Sequence, residues 1–286
     1  MDSSAAAAFC YAKAGGILRK SFVGEKANKL FAAKSLKELY TLLFGSDVPA
    51  VPEVMLAKEI EKKAAANFEN SARELFGYFD NPSPILSAIL EFYEYENSKE
   101  KSAEKDREEI LKLWKAAETL PAADKNSLEK LIKTVISLKN IIWALRLKVY
   151  YNYKREEIEK LLIYAGEKPS KNDVLARETY EILDKDPANY DDWRKWKYSK
   201  ALNPHEEGSL WEIDPCYVER AVKRYLNNFF QHSFHTNPMS ITSFVAWFKI
   251  KQTELDYIRT AAEGLRLDVG EGKEKEAAGF ASAVKA

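Results

Sequence analysis

Apolar positions recur at helical spacing along most of the chain, and capping residues mark where the helices should begin and end. Ser35 followed by Glu38 forms a capping box ahead of an apolar run, and Gly45 supplies a stop. Four further helix starts are predicted, at Ser83-Pro84, Asp186-Pro187, Asp214-Pro215 and a second capping box formed by Asn126 with Glu129.

Helix ends are predicted from glycine and proline. A helix starting near Lys154 should end at Gly166, and a helix starting near Ser240 should run to Glu263 and stop at Gly264. No Asn-Gly or Asp-Gly turn joins alternating apolar runs, so any sheet is minor and the predicted class is all-α. The polar residues 96–109 indicate either an exposed helix or a loop, and residues 269–286 lack an apolar face and are expected to form a flexible tail.

The stretch LKNIIWALRLKVYYNY, residues 138–153, is apolar on nearly every side of the predicted helix, yet it includes Asn140, Arg146 and Lys148. These charges exclude a bilayer-spanning segment, which needs about 18 or more apolar residues. A helix that is apolar all round in such a chain is a buried one. Asn140 and Arg146 therefore need hydrogen-bond partners or a position at the helix rim, and we expect them to fix how neighbouring modules pack.

The charge balance narrows the possible functions. Lysine and arginine total 44, as do aspartate and glutamate, so the net charge is zero, which argues against a protein built to bind nucleic acid. The two cysteines, Cys10 and Cys216, have no C-x-x-C spacing and indicate a reduced compartment. The first residues, MDSSAAAAFCYAKAGG, do not read as an export signal.

Candidate chemical motifs are incomplete. VGEGK at residues 269–273 lacks the Ser or Thr of a phosphate-binding loop, and His232 with His235 offers too few ligands for zinc. Asp191 and Asp192 are similar to half of an aspartate-rich magnesium motif, but no second acidic cluster follows, and no G-x-S-x-G elbow is present. We therefore predict no catalytic, cofactor-binding or metal-binding residue, and a chain that is not an enzyme.

Three segments share a rough pattern of an acid or amide, an apolar pair and a base. They are centred on Asn97, on Asn140 with Arg146, and on Glu254 with Arg259. The pattern suggests an internal repeat whose members fix the fold. Separately, NNFFQHSFHTNPMS contains Phe229, Phe230 and Phe234, which could form an exposed contact for a partner or a buried connection between helices; the sequence supports both equally.

Several segments, in order, resemble the C-type rotor component of the archaeal and bacterial A/V-type rotary ATPase, the counterpart of the d-type component of the eukaryotic V-ATPase. The resemblance covers residues 9–269 and rests on YAKAGGILRKSF, KSLKELYTLLFGSDVP, YEYENSK, LKNIIWALRLKVYYNYKREEIEKLLIYAG, DPCYVERAVKRY and FKIKQTELDYIRTAAEGLRLDVG. The sequence departs from the family pattern at Gly15, Gly16, Ser98 and Thr253, and only 43 residues separate Asn97 from Asn140. The chain is thus similar to a shortened, divergent, bacterial member.

The resemblance implies a single all-α region, residues 1–268, shaped like a funnel. It would comprise three related modules, about 1–115, 116–200 and 201–268, around a pseudo-threefold axis, followed by the tail 269–286. It implies a non-catalytic rotor adaptor without a cofactor. This adaptor would lie on the cytoplasmic face of the membrane and couple the central shaft to the proteolipid ring, so that ATP turnover is linked to proton or sodium transport. The alternative is a helical solenoid that binds a protein partner.

Overall fold

The computed structural model describes residues 3–80, 82–98, 101–206 and 208–279, and within these ranges it contains helices and no strand. The predicted all-α class is confirmed. Two 3-10 turns lie at Gly24–Ala27 and Ser199–Ala201. The α-helices are α1 Ser3–Lys20, α2 Asn28–Phe31, α3 Leu36–Phe44, α4 Glu53–Phe76, α5 Pro84–Glu96, α6 Ala103–Glu118, α7 Ala122–Tyr151, α8 Arg155–Leu161, α9 Arg177–Leu183, α10 Tyr190–Trp193, α11 Pro215–Thr236, α12 Ile241–Arg266 and α13 Glu271–Ala277.

Three of the predicted helix starts are confirmed. At α3 the Ser35 hydroxyl accepts a hydrogen bond from the Glu38 N–H at 3.2 Å, and Glu38 accepts one from the Lys34 N–H at 2.8 Å. The helix then ends at Gly45, whose φ of 58° lies in the left-handed region that glycine favours. Helices α5 and α11 begin at Pro84 and Pro215, where proline lacks an N–H that the first turn would leave unpaired.

Two predicted starts are wrong. Asn126 lies inside α7, because the good helix formers ahead of it let the helix begin at Ala122, directly after Pro121. Pro187 does not start a helix; it lies in a turn in which the Asp186 carboxylate accepts a hydrogen bond from the Ala188 N–H at 2.9 Å.

Two predicted helix ends are also wrong. Helix α8 ends at Leu161, five residues before Gly166, because residues 162–165 turn inward and bury Leu162, Ile163 and Tyr164. Helix α12 continues through Gly264 to Arg266, so this glycine lies inside a helix rather than after one.

The polar segment 96–109 contains both of the structures considered for it. Helix α5 ends at Glu96, and α6 begins at Ala103 with the Ser102 hydroxyl accepting from the Lys105 N–H at 3.2 Å. The expected flexible tail differs from the structure, because Glu271–Ala277 forms α13 and Glu274 is only 4% exposed. Glu274 packs on Gly264, where any side chain would overlap its carboxylate. Residues 280–286 of that tail lie outside the described residues.

Contacts divide the chain into two compact units. The terminal unit comprises residues 1–82 and 227–286, and the central unit comprises residues 83–226. Helix α11 belongs to the central unit up to Leu226 and to the terminal unit from Asn227. These boundaries differ from the predicted module limits near residues 115, 200 and 268, because the terminal unit combines both ends of the chain. The three-module, pseudo-threefold arrangement stays a prediction.

The core of the terminal unit is built around α12, which packs chiefly on α4 and also on α1. Residues 244–248 of α12 are fully buried. Their aromatic rings meet those of α4: Phe248 lies 4.8 Å from Phe68 and 6.1 Å from Phe76, centroid to centroid. Such pairs bury large apolar areas in fixed geometry, which makes this helix pair the rigid part of the unit.

The core of the central unit surrounds α7, which packs on α6 and α9. It includes three buried tryptophans, Trp193, Trp196 and Trp211. The Trp193 indole lies edge-on to Trp196 at 5.6 Å and donates a hydrogen bond to the Asp186 carbonyl at 2.8 Å. The acids Asp191 and Asp192 therefore belong to the first turn of α10, next to this tryptophan cluster.

Candidate functional site: the helix with the signature asparagine

Helix α7 is the element that the sequence singles out most strongly. Its 30 residues span about 45 Å. Leu138, Ile141, Ala144 and Leu145 are each at most 1% exposed, which confirms that the apolar stretch forms a buried helix. The helix ends at Asn152, whose φ of 54° and ψ of 33° place it in the left-handed region.

Asn140 is fully buried and has all of its polar atoms paired with backbone. Its amide nitrogen donates to the Ile163 carbonyl at 2.8 Å and to the Leu175 carbonyl at 3.2 Å, while its oxygen accepts from the Ile163 N–H at 2.9 Å. One side chain thus fixes both ends of the irregular segment between α8 and α9. The expectation that Asn140 fixes the packing of neighbouring elements is met within the central unit.

Two further side chains hold the same segment. The Ser137 hydroxyl donates to the Leu175 carbonyl at 3.1 Å. The Asp173 carboxylate accepts from three backbone N–H groups, those of Ala165 at 3.2 Å, Gly166 at 3.0 Å and Leu175 at 2.9 Å. Neither residue was singled out from the sequence, and the Asx-turn spacing from Asp173 to Leu175 is the only local signal that could have indicated one of them.

Two lysines of α7 carry charge into the apolar surroundings. The Lys139 ammonium lies 5.4 Å from the Trp143 ring and 5.7 Å from the Phe92 ring, and burial lowers its pKa. The Lys148 ammonium donates to the carbonyls of Leu183, at 2.6 Å, and Lys185, so it satisfies the C-terminal end of α9. Burial also lowers the pKa of Lys148.

Arg146 faces a wetter environment than Asn140. Its guanidinium forms an ion pair with Glu219 of α11, and its side chain is 45% exposed. It therefore has a partner at the helix rim, one of the two placements expected for it.

The C-terminal end of α7 exposes three tyrosines, which we call the tyrosine patch: Tyr150, Tyr151 and Tyr153, exposed by 52%, 67% and 41%. The Tyr151 and Tyr153 rings lie 6.3 Å apart in an edge-on arrangement. The chain reverses between them because Asn152 is left-handed and the Tyr153 N–H donates to the Leu147 carbonyl at 3.0 Å. Tyrosines placed in this way are typical of protein–protein interfaces.

The other residues of the predicted repeat lie in different settings. Asn97 follows α5 in the central unit, and its amide donates to the Tyr93 carbonyl of its own helix at 2.7 Å. Glu254 and Arg259 lie on α12 in the terminal unit; Glu254 is 6% exposed, and Arg259 lies 3.7 Å from Asp256. The equivalence of the three segments stays a prediction.

The Glu254 carboxylate holds backbone of a neighbouring element. It accepts a hydrogen bond from the Phe22 N–H at 2.6 Å and forms an ion pair with Lys251. The Lys251 ammonium also donates to the Ser21 hydroxyl at 2.9 Å. The residues directly after α1 are thereby fixed to α12.

The phenylalanines proposed as an exposed contact lie on α11. Phe230 and Phe234 are 5% and 2% exposed, and Phe234 stacks on Tyr11 at 4.9 Å, so these two belong to the core of the terminal unit. Phe229 is half-buried. For Phe230 and Phe234 the structure agrees with the buried alternative.

Metal and nucleotide chemistry find no assembled site in the described part of the chain. No group of three or more His, Cys, Asp or Glu side chains is placed there to hold a metal ion. His232 and His235 are exposed on α11, and the glycine-containing segment 269–273 leads into α13.

Comparison with known proteins decides the family. Residues 106–274, more than half of the chain, match the ATP synthase (C/AC39) subunit family. The chain belongs to this family. It is therefore a V-type ATPase subunit of an accessory rather than a catalytic kind, and the matched range includes α7 and α12 with Asn140 and Glu254.

One relative covers nearly the whole chain. An uncharacterized protein of Treponema pallidum (strain Nichols) is 21% identical over 318 residues, which cover 92% of this chain and 93% of that protein. No solved structure matches the chain. None of the helices in the described ranges combines the length and the apolar character needed to cross a bilayer.

Proposed function

We propose that this protein is a rotor adaptor that couples the central shaft of a V-type ATPase to its membrane proteolipid ring. In this role it transmits torque on the cytoplasmic side of the membrane and carries out no chemistry. Family membership supports a place in the complex, and the observation that supports a docking role is the tyrosine patch at the end of α7.

The structure around α7 suits a part that transmits force. Asn140, Ser137 and Asp173 fix the segment between α8 and α9 through hydrogen bonds to backbone, and Lys148 fixes the end of α9. Close-packed cores of low compressibility transmit strain rather than absorb it. A load applied at the tyrosine patch would therefore reach the core of the central unit directly through α7.

The tyrosine patch has the composition of an interface centre. Its three rings provide large, rigid contact areas with hydroxyl groups that can bond a partner. Tyr150 already donates to the Asp214 carboxylate at 3.4 Å, which holds its ring in place before any partner binds. We assign this patch to contact with another component of the complex.

The test is co-purification of the tagged full chain from membranes of cells that contain the ATPase. We expect shaft and ring subunits to co-purify with the wild-type chain. Replacing Tyr150, Tyr151 and Tyr153 by serine should reduce their recovery at least about tenfold, because interface tyrosines often contribute about 2 kcal/mol or more each. The matched control replaces Val174 and Leu210, which are exposed apolar side chains elsewhere on the central unit, by serine.

The two halves of the proposal fail separately. If the wild-type chain is recovered without shaft or ring subunits, the adaptor role is wrong. If both sets of subunits co-purify equally with wild type, the tyrosine variant and the control variant, the adaptor role stands and the assignment of the tyrosine patch is wrong.

A further inference from the structure

A cavity of about 310 Å³ opens on the central unit between α7, the 3-10 turn Ser199–Ala201 and α11. Its floor is apolar and is formed by Leu138, Ala221 and Val222, which are 1%, 8% and 6% exposed. Sites that bind ligands or inserted side chains combine such an apolar floor with a few polar groups, at volumes of about 300 Å³ and above. The cavity is large enough to receive one bulky apolar side chain.

The charge at this cavity is one-sided. Three basic residues, Lys197, Lys200 and Arg224, line it, and no acidic residue does. Lys197 is neutralised by Glu178, whose carboxylate lies 2.8 Å from the ammonium. Within residues 3–80, 82–98, 101–206 and 208–279, no carboxylate pairs with Lys200 or Arg224. Two positive charges thus remain uncompensated beside an apolar surface, a pattern that favours a negatively charged ligand.

The aromatic wall of the cavity is held in place. The Tyr198 hydroxyl donates to Glu178 at 2.8 Å, and its ring lies 6.2 Å from that of Tyr225 in an edge-on arrangement. Burial, with Glu178 nearby, raises the pKa of Tyr198 to about 12, so its hydroxyl stays a neutral donor to this carboxylate. Tyr225 is 46% exposed and offers its surface to a ligand at the mouth.

We propose that this cavity binds an acidic segment of a partner polypeptide. One bulky apolar side chain of that segment would enter between Leu138 and Tyr198, and carboxylates on either side of it would pair with Lys200 and Arg224. The choice of a polypeptide over a lipid rests on the proposed function, in which the chain works among other subunits.

This site is separate from the tyrosine patch. Leu138 and Tyr150 are twelve positions apart on α7, which corresponds to about 18 Å along the helix axis. A segment bound in the cavity would therefore add a second contact to the same rigid helix. Two linked contacts strengthen each other, because the second forms at a high effective concentration.

The test uses the purified full chain and a fluorescent hexapeptide with a leucine-tryptophan centre flanked by glutamates, followed by fluorescence anisotropy. Two peptides are compared with it: one with lysines in place of the glutamates, and one with glycines in place of the centre. We expect each change to weaken binding about tenfold or more, since the site reads charge and apolar contact together.

Variants locate the binding. Lys200→Glu with Arg224→Glu should weaken binding of the acidic peptide at least about tenfold. The matched control, Lys168→Glu with Lys195→Glu, makes the same charge change at exposed positions outside the cavity and should leave binding within about twofold. Ala201→Leu, which fills part of the cavity, should weaken binding, whereas Ala188→Leu at an exposed position should not.

The proposal is overturned if the lysine peptide binds as tightly as the acidic one, or if the Lys200 and Arg224 reversals leave binding unchanged. It is also overturned if vesicles of phosphatidylglycerol and phosphatidylcholine bind through these residues while the peptide does not. Loss of peptide binding with normal co-purification of ATPase subunits would reject the cavity alone. Failed co-purification with normal peptide binding would reject the adaptor role alone.

Discussion

Helices α7 of the central unit and α12 of the terminal unit each bury a polar side chain that holds backbone of a neighbouring element. In α7 this residue is Asn140, which is neutral and makes three hydrogen bonds to Ile163 and Leu175. In α12 it is Glu254, which accepts one hydrogen bond from the Phe22 N–H and has its charge balanced by Lys251.

The two solutions differ in what they require from their surroundings. An amide carries both a donor and an acceptor, so Asn140 satisfies two carbonyls and one N–H without any counter-ion. A buried carboxylate needs an opposite charge, and the pair Lys251–Glu254 borders a cavity of about 120 Å³ rather than close-packed side chains. The central unit therefore has the clamp that is more demanding in geometry, and the terminal unit has the clamp that is more demanding in electrostatics.

The largest effect is expected for Asn140→Leu, which keeps the volume and removes every polar atom. It would leave the Ile163 N–H and the Ile163 and Leu175 carbonyls buried without Asn140, and each such group costs about 1–3 kcal/mol. We expect a loss of about 4 kcal/mol in the free energy of unfolding, measured by urea titration with circular dichroism.

Asn140→Asp is the matched variant for this prediction. It keeps the acceptor for the Ile163 N–H but sets a carboxylate against two carbonyls, so it should destabilise the protein to a similar extent. A loss below about 1 kcal/mol for Asn140→Leu would mean that the amide is not the clamp of this segment.

A smaller effect is expected for Glu254→Gln. The amide oxygen can still accept from the Phe22 N–H, while Lys251 loses its counter-charge but keeps the Ser21 hydroxyl at 2.9 Å. We expect a loss of about 2 kcal/mol in the free energy of unfolding, below the full cost of breaking a buried ion pair.

The double variant Lys251→Met with Glu254→Gln sharpens the comparison, because it removes both charges. It should recover part of the stability that Glu254→Gln loses. If the single and double variants are equally unstable, charge balance is not what distinguishes the terminal unit's clamp.

The smallest effect is expected for Arg146→Ala. Its side chain is 45% exposed and its ion pair with Glu219 is partly solvated, so the free energy of unfolding should fall by less than about 1 kcal/mol. The same urea titration measures it. A loss that approaches that of Asn140→Leu would make Arg146 a second anchor of the fold instead of a residue at the rim.

Local signals in the sequence predicted the fold class and several helix limits. Ser35 and the prolines at 84 and 215 act through their own backbone neighbourhoods, so their effects can be inferred without a structure. The burial of α7 followed from its all-round apolar pattern. Asn126 and Pro187 misled because nearby residues offered a better start in one case and a side-chain-capped turn in the other.

The rest depends on contacts between residues far apart in the chain. The role of Asp173 appears only when Ala165, Gly166 and Leu175 converge on its carboxylate. Likewise, Phe230 and Phe234 could not be placed from sequence, because their burial depends on packing partners such as Tyr11. The basic cavity combines residues from α7, α11 and the turn Ser199–Ala201, and no local motif connects them.

Gly264 has a consequence for how the end of this chain can vary. Its missing side chain leaves the notch that Glu274 of α13 occupies, and desolvation raises the pKa of that carboxyl. Position 264 can therefore tolerate alanine only where α13 has moved away or Glu274 has been exchanged for a smaller residue. A saturation library at 264 would show whether the last helix is a fixed part of the protein, because tolerance at one position would depend on the identity of the other.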